Sequence, residues 1–525
     1  MRKTGYIPTA ASRLLAQSFL LLLWLAMAAF PAWAQTGTSP SSDPCTSGHE
    51  FATTDCTLTW HGITLYGAYD VGVGWVSHGL PENGYNYEGA SLVNRNGYQH
   101  RFLVAPNNLQ QTGLGIRGKE EFLPGWSVVF NASTGINPQS GLLANASKTD
   151  IINNGRPRSS YSYAIDGARA GQPFNDEIYG GISSAHFGTL TFGRQRSLGT
   201  DVMLQYDPAG GSYAFSYIGY NGTMAGGGDT ENTRWDDAVK YRITVGPVHF
   251  GAMYKFADGS GGCYSASATW SATTCTPQSV HNNAYGFNLG ANVGKFSADI
   301  VPQHYNQAIS VLNPLLGPQS PAAPYQSTTD SINTNPINGG AGMGPNLIDP
   351  NDTVYGIVTD NYAIMVAAKY AWDPVKFFAG YEYIWQNNPK NPLGVGASDQ
   401  GGYIMSGVED KNLDSEKLVN LWWAGAKYTY RSKTDITFSW YQQRQNTFRV
   451  PPTCVPGNFR ASCAGTLNEG SLYVDHHFTK RFDGFVGIAY SWVSGGLAIA
   501  IPHGPGVPYN SNNNFAPTVG GRFTF

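Results

Sequence analysis

Ile63-Thr-Leu-Tyr-Gly-Ala-Tyr-Asp-Val-Gly-Val-Gly-Trp75 is the stretch on which the fold turns. Its odd positions read Ile63, Leu65, Gly67, Tyr69, Val71, Val73 and Trp75, while its even ones read Thr64, Tyr66, Ala68, Asp70, Gly72 and Gly74. Side chains of a strand point alternately to opposite faces, so this is a strand with one greasy face and one small or polar face. The pattern recurs along the chain. Trp126, Val128, Phe130 and Ala132 alternate with Ser127, Val129, Asn131 and Ser133, and Val248, Phe250, Ala252, Tyr254 and Phe256 with His249, Gly251, Met253 and Lys255. Tyr285 to Val293, Tyr362 to Trp372 and Val375 to Trp385 repeat it, the last with Lys376 and Glu382 on the face opposite its aromatics. A charge cannot face hydrocarbon cheaply, so if the greasy face meets lipid, those charges line a wet interior.

A soluble sandwich would alternate in the same way, with the greasy face in a core. Two features favour a barrel in a membrane. Apolar-face aromatics (Trp75, Tyr254, Tyr370, Trp372, Tyr383, Trp385) gather at strand ends, as interfacial girdles do. Connections also alternate in length: Trp372 to Val375, Arg431 to Lys433 and Lys480 to Asp483 are tight, whereas Asn306 to Thr359 is long and rich in Pro, Asn and Gly. The count is about sixteen strands, beginning near residues 63, 112, 125, 174, 188, 235, 247, 283, 295, 360, 375, 417, 434, 470, 484 and 516. Barrels of that size enclose an aqueous channel. The expected fold is all-β: a transmembrane, antiparallel, up-and-down β-barrel, with no second domain after residue 62.

Composition agrees. The chain has 64 Gly, 31 Tyr, 25 Phe and 13 Trp in 525 residues with only 13% charged, which suits a wall that is greasy at every second position. Its mean hydropathy is −0.26, and no apolar run after Phe30 approaches the ~20 residues of a membrane-spanning helix. Arg2, Lys3 and Arg13, the apolar run Leu14 to Phe30 and Ala32-Trp-Ala34 form a secretory signal peptide (1–34), cut before Gln35. An uncleaved anchor is the rival, disfavoured by the polar stretch after the cleavage site. Removing those three cations from 32 Lys and Arg against 35 Asp and Glu leaves a net charge of about −6. No basic cluster points to nucleic acid.

Residues 35–61 form an extension ahead of the barrel (62–525). Six cysteines fall into three sequence-local couples: Cys45 with Cys56, Cys263 with Cys275, and Cys454 with Cys463. In an exported chain these read as three loop-closing disulfides. The zinc alternative has no CxxC or HxxxH spacing to support it.

Several segments, in order, resemble landmarks of the general Gram-negative porins, especially the β-proteobacterial type. They are Ile63 to Asp70, Leu114-Gly-Ile-Arg-Gly-Lys-Glu-Glu121, Phe187-Gly-Thr-Leu-Thr-Phe-Gly-Arg-Gln195, Arg234 to Tyr241, Phe378 to Ile384, Ala424 to Tyr428, Thr479-Lys-Arg481 and Gly521-Arg-Phe-Thr-Phe525. Each motif alone is weak, but their succession over the mature chain is specific. The resemblance implies an outer-membrane homotrimer set among lipid and lipopolysaccharide. It implies passive diffusion of small hydrophilic solutes, no cofactor, and a terminal strand (Phe523, Phe525) read by the barrel-assembly machinery.

The resemblance also implies a third loop, about 195–233, folded into the lumen. This loop carries Asp201, Asp207, Asp229 and Glu231, with Tyr206, Tyr213, Tyr217 and Tyr220 available to pack it against the wall. Acids there, facing basic wall residues, would set a transverse field at the constriction. Arg194 holds the family's arginine position after Phe-Gly, Arg234 another, and Arg117 points inward if Leu114 and Ile116 meet lipid; Arg196, Arg242 and Lys240 are further candidates. The chain departs from the family at Gly113, where relatives place an arginine, and lacks the acidic loop tip of enteric porins.

An enzymatic reading finds no GxSxG, HExxH or phosphate loop. Asp475-His476-His477 could suggest a metal or acid/base site, but alternation sends the two histidines to opposite faces. The nearer alternative is a channel specific for a sugar or organic acid.

Overall fold

The computed structural model describes residues 44–79, 99–136, 173–221, 234–256, 283–306, 360–387, 415–448, 463–495 and 512–525, with a few isolated positions between them. The expected signal peptide, 1–34, lies outside the described residues. Sixteen antiparallel staves close on themselves. They are β1 (Ile63–Gly79), β2 in two segments (Gln99–Pro106 and Gly113–Leu123), β3 (Trp126–Gly135), β4 (Glu177–Ser184), β5 (Gly188–Arg196), β6 (Arg234–Val245), β7 (Val248–Lys255) and β8 (Ala284–Val293). The circuit continues through β9 (Phe296–Tyr305), β10 (Asp360–Trp372), β11 (Val375–Asn387), β12 (Lys417–Tyr430), β13 (Thr434–Gln445), β14 (Gly465–His477), β15 (Phe482–Gly495) and β16 (Asn513–Thr524).

Each stave pairs with the next, and β16 returns to β1 in the register Val73↔Val519 and Tyr69↔Phe523. Phe525 completes the seam, exchanging backbone hydrogen bonds of 2.9 and 3.0 Å with Gly67. A Cβ at Gly67 would lie 2.6 Å from the Phe525 ring, so the seam needs a glycine there.

The greasy faces point outward. Tyr69 is 49% exposed and Val366 46%, whereas their neighbours Asp70 and Met365 are 0% and 1%. An outer surface so apolar all round is matched by hydrocarbon rather than water. Rings collect at both ends of it. Trp126 stacks on Phe187 at 5.7 Å on the tight-turn rim, and Trp75 meets Phe515, Tyr362 meets Trp385 and Trp440 meets Trp492 on the other, at 6.5, 5.2 and 5.3 Å. Tight turns such as Gly246-Pro247 and Gly294-Lys295 fall on one rim; both glycines have φ near +60°, which a two-residue hairpin demands.

Most strand starts lie within two or three residues of the sequence expectation; β14 starts at Gly465 rather than near 470. The larger difference is β2, whose first segment, Gln99–Pro106, the alternation did not reveal. Between its segments the chain makes a knuckle centred on Asn108. The Asp70 carboxylate accepts the backbone N–H groups of Asn108, Leu109 and Gln110 at 3.0, 2.7 and 3.0 Å. That contact, 38 to 40 residues away in sequence, holds open a break that local pattern cannot show.

Ahead of β1, a short helix α1 (Gly48–Thr53) is clipped by the Cys45–Cys56 disulfide. Its Phe51 lies 6.3 Å from the Phe523 ring, and Arg481 Nε donates to the Phe51 carbonyl at 3.1 Å. Cys454 is bonded to Cys463. The Cys263–Cys275 couple lies outside the described side chains.

Candidate functional site

After β5 the chain turns into the lumen. Ser197 caps helix α2 (Leu198–Tyr206), its Oγ accepting the Thr200 N–H at 3.2 Å, and Pro208 follows closely enough to stop the helix. Leu198, Val202, Met203 and Tyr206 share one face and are buried in a cluster with Met253, Val301, Met365, Ala367, Leu421 and Trp423. These wall residues are lumen-facing, so the loop gives the far side of the barrel a dry core. Polar groups fix its position. The Gly199 N–H donates to Gln303 Oε1 at 2.9 Å, Trp423 Nε1 to the Tyr206 carbonyl at 3.1 Å, and the Tyr206 hydroxyl engages Ser297 at 2.5 Å and Asp299.

Asp207 ends the helix and faces the wall, not the pore. It is 3% exposed and accepts the Tyr441 hydroxyl at 2.5 Å and the N–H groups of Ala209 and Gly211 at 3.1 and 2.7 Å. Burial pushes its carboxyl above the usual range, with the Tyr441 and Gly211 hydrogen bonds working against that rise. Further on, Phe215 stacks on Tyr473 at 4.6 Å, Ser471 Oγ donates to the Phe215 carbonyl at 2.6 Å, and Ser212 Oγ to the Asn108 carbonyl at 2.5 Å. Helix α3 (Tyr217–Asn221) adds a hydrogen bond from the Tyr217 hydroxyl to Gln443.

The open lumen is what remains between this loop and the wall from β1 to β6. A cavity of about 510 Å³ is bounded by Tyr66, Ser133, Asp176, Arg196 and Arg234 on the wall, and by Met203, Gly210, Gly211 and Tyr213 on the loop. A second, of about 670 Å³, is bounded by Thr64, Arg117, Lys119, Glu177, Tyr179, Arg196, Asp201, Lys240 and Arg242. Arg196 lines both.

Ion pairs cross the site. Arg196 reaches Asp176 at 3.3 Å and Glu177 at 3.8 Å, and Arg234 reaches Asp176 at 2.7 Å. From the helix, Asp201 reaches Lys240 at 2.5 Å and also meets Arg242. The Arg117 guanidinium lies 5.0 Å above the Tyr66 ring.

Of the residues singled out from sequence, Arg117, Arg234 and Asp201 thus border the cavities. Arg194 does not. A bulge at Gly193 (φ 123°) shifts the register there, and the Arg194 side chain, 6% exposed, donates to Asp236 at 2.5 Å and to the Asn175 carbonyl at 3.2 and 2.9 Å. Asp207 lies behind the loop, and Glu231 lies outside the described residues, as does Asp229. Tyr206, Tyr213 and Tyr217 are all buried, while the Tyr220 side chain is outside the described set. Sequence reading passed over Asp176, Glu177 and Lys119. Lys119 was open to it, because alternation puts Lys119 on the same face as Arg117.

The family model described as Gram-negative porin matches residues 22–495. An outer membrane porin protein of Bordetella pertussis is 25% identical over 198 residues, a stretch that takes in 37% of this chain and 43% of that relative. Among solved structures, the anion-selective porin from Comamonas acidovorans has the same fold, with a TM-score of 0.52 at 14% identity, over 88% of this chain and 99% of that one. The barrel, the loop inside it and the family match agree: the chain belongs to the Gram-negative porin family and is an outer-membrane β-barrel channel.

Proposed function

We propose that this channel passes small hydrophilic solutes and ions by passive diffusion and that its narrow section favours anions. One observation carries the reading. Among the described residues, the 670 Å³ cavity is bordered by Arg117, Lys119, Arg196, Lys240 and Arg242 against Glu177 and Asp201. A low-dielectric wall concentrates such an excess into a positive potential, which raises the local concentration of anions and slows cations. The solved porin described as anion-selective supports this preference. Asp201 opposite Lys240 and Arg242 adds a field across the passage, directed from wall to loop. As the family resemblance implies, three copies associate in the membrane among lipid and lipopolysaccharide, and Phe523 and Phe525 present the strand that the assembly machinery reads.

The test is reversal potential in a planar bilayer under a KCl gradient. The expected result is a sign that marks anion preference, growing at low salt as screening weakens. Arg196→Glu should move it toward cations, and Arg194→Glu should move it much less. A cation-selective wild type, or equal shifts from the two variants, would overturn the reading. Saturable block by one sugar or organic acid would instead favour a specific channel.

A further inference from the structure

The Asp475-His476-His477 stretch acquires a third member from the fold. Asp475 and His477 are two residues apart on β14 and share its lumen face, and His477 stands directly opposite Asp483 of β15. One ligand atom from each of Asp475, His477 and Asp483 lies within 4.8 Å of the others. His476 points the other way, with its Nδ1 2.8 Å from the Thr434 hydroxyl and its ring against Phe478. We propose that Asp475, His477 and Asp483 form a binding site for a divalent transition-metal ion, of the kind that Zn²⁺ represents, at the tight-turn mouth of the channel.

Three observations support the assignment. The donor set is one imidazole and two carboxylates, a combination that suits Zn²⁺ and its neighbours and leaves further coordination positions for water. Asp475 is 7% exposed, and its Oδ1 is buried with no hydrogen-bond partner among the described residues. Such an orphan is costly unless something occupies the space before it. The surroundings are also those of a supported site. Arg522 holds Oδ2 of Asp483 at 2.6 Å and Oδ2 of Asp475 at 3.4 Å, while His477 Nδ1 is 2.6 Å from Oδ1 of Asp483. Arg522 therefore engages one oxygen of each carboxylate, as outer-sphere partners of metal ligands do, leaving Oδ1 of Asp475 without a partner among the described residues and Oδ1 of Asp483 against the His477 ring. Asp435, 3.9 Å from His477 Nε2, faces the imidazole nitrogen turned away from Asp483 and orients the ring.

In this family's orientation short turns face the periplasm, so the ion would bind at the periplasmic mouth and add positive charge to the lumen. The experiment is Zn²⁺ titration by calorimetry on the purified, detergent-folded barrel, paired with single-channel recording during Zn²⁺ addition to either side. The expected result is one site per chain, weakened at least tenfold by His477→Ala and by Asp475→Asn, and unchanged by His476→Ala, with current altered more readily from the tight-turn side. Heat-modifiable migration checks that each variant is folded. Absence of saturable binding by the folded wild type, or equal loss from His476→Ala and His477→Ala, would overturn the proposal.

Discussion

The lumen wall has two halves that obey one alternation and do opposite jobs. From β7 to β15 the inward residues include Met253, Val301, Met365, Leu421, Trp423, Leu467 and Val493, each almost wholly buried because α2 and the chain after it lie on them. From β1 to β5 they include Thr64, Tyr66, Arg117, Ser133, Glu177 and Thr191, and the loop leaves them bordering water-sized space. The period-two pattern decides only which face is inside. What covers the inside decides whether a stave contributes packing or selectivity.

The hardest blow to the covered half is Trp423→Ala. The ring is 2% exposed, fills the space against α2 and donates to the Tyr206 carbonyl. Losing it should cost about 3–5 kcal/mol, the usual range for a large buried aromatic. Because α2 rather than the barrel rests on that ring, the loss should appear as frequent current flicker and easier proteolysis of the loop, with the strand signal in circular dichroism retained. Quiet channels with an intact loop would show that the helix does not depend on this wall.

Acidity should act on the same half. Asp207 has its carboxyl raised above the ordinary 3.8 in the docked loop, so docking takes up a proton that the undocked loop releases. Docking from this source is strongest below 3.8 and is lost as pH rises from there through the raised value. Flicker should therefore be rarer in acid than near neutrality, and Asp207→Asn should flatten that dependence. A wild-type channel that becomes noisier on acidification would contradict the assignment.

How far the sequence could be read follows the same division. Strands such as Val375–Asn387 were visible because alternation is local, and because a bilayer imposes it on every stave. The break in β2 was not, since it depends on Asp70 reaching across to residues near 110. Arg194 illustrates the limit at the site: its motif is legible, but the bulge at Gly193 and the partners Asn175 and Asp236 that engage its side chain are long-range facts. Asp207 looked like one more acid on a pore loop, and only Tyr441, 234 residues away, reveals it as a latch. Arg117 was readable from neighbours alone, because Leu114 and Ile116, 45% and 40% exposed, fix its face.

The finest discrimination between the halves comes from removing the same atom on each. Tyr441→Phe deletes a hydroxyl that donates to the buried Asp207 carboxylate, and Tyr66→Phe deletes one that donates to Asn131 at 2.5 Å beside the open cavity. Above the raised Asp207 value the Tyr441 hydroxyl meets a charged carboxylate, a hydrogen bond worth about 1.5–3 kcal/mol against about 0.5–1.5 for a neutral one, and water can replace the Tyr66 donor but not the Tyr441 donor. Loop stability, read from flicker and proteolysis, should therefore fall clearly in Tyr441→Phe and hardly at all in Tyr66→Phe. The Tyr66 ring remains in that variant, so Arg117 keeps the face 5.0 Å beneath it and the reversal potential should stay close to wild type. Equal losses in the two variants would mean that the wall beside the pore is as dry as the wall beneath the loop, and the division between packing and selectivity would fall with it.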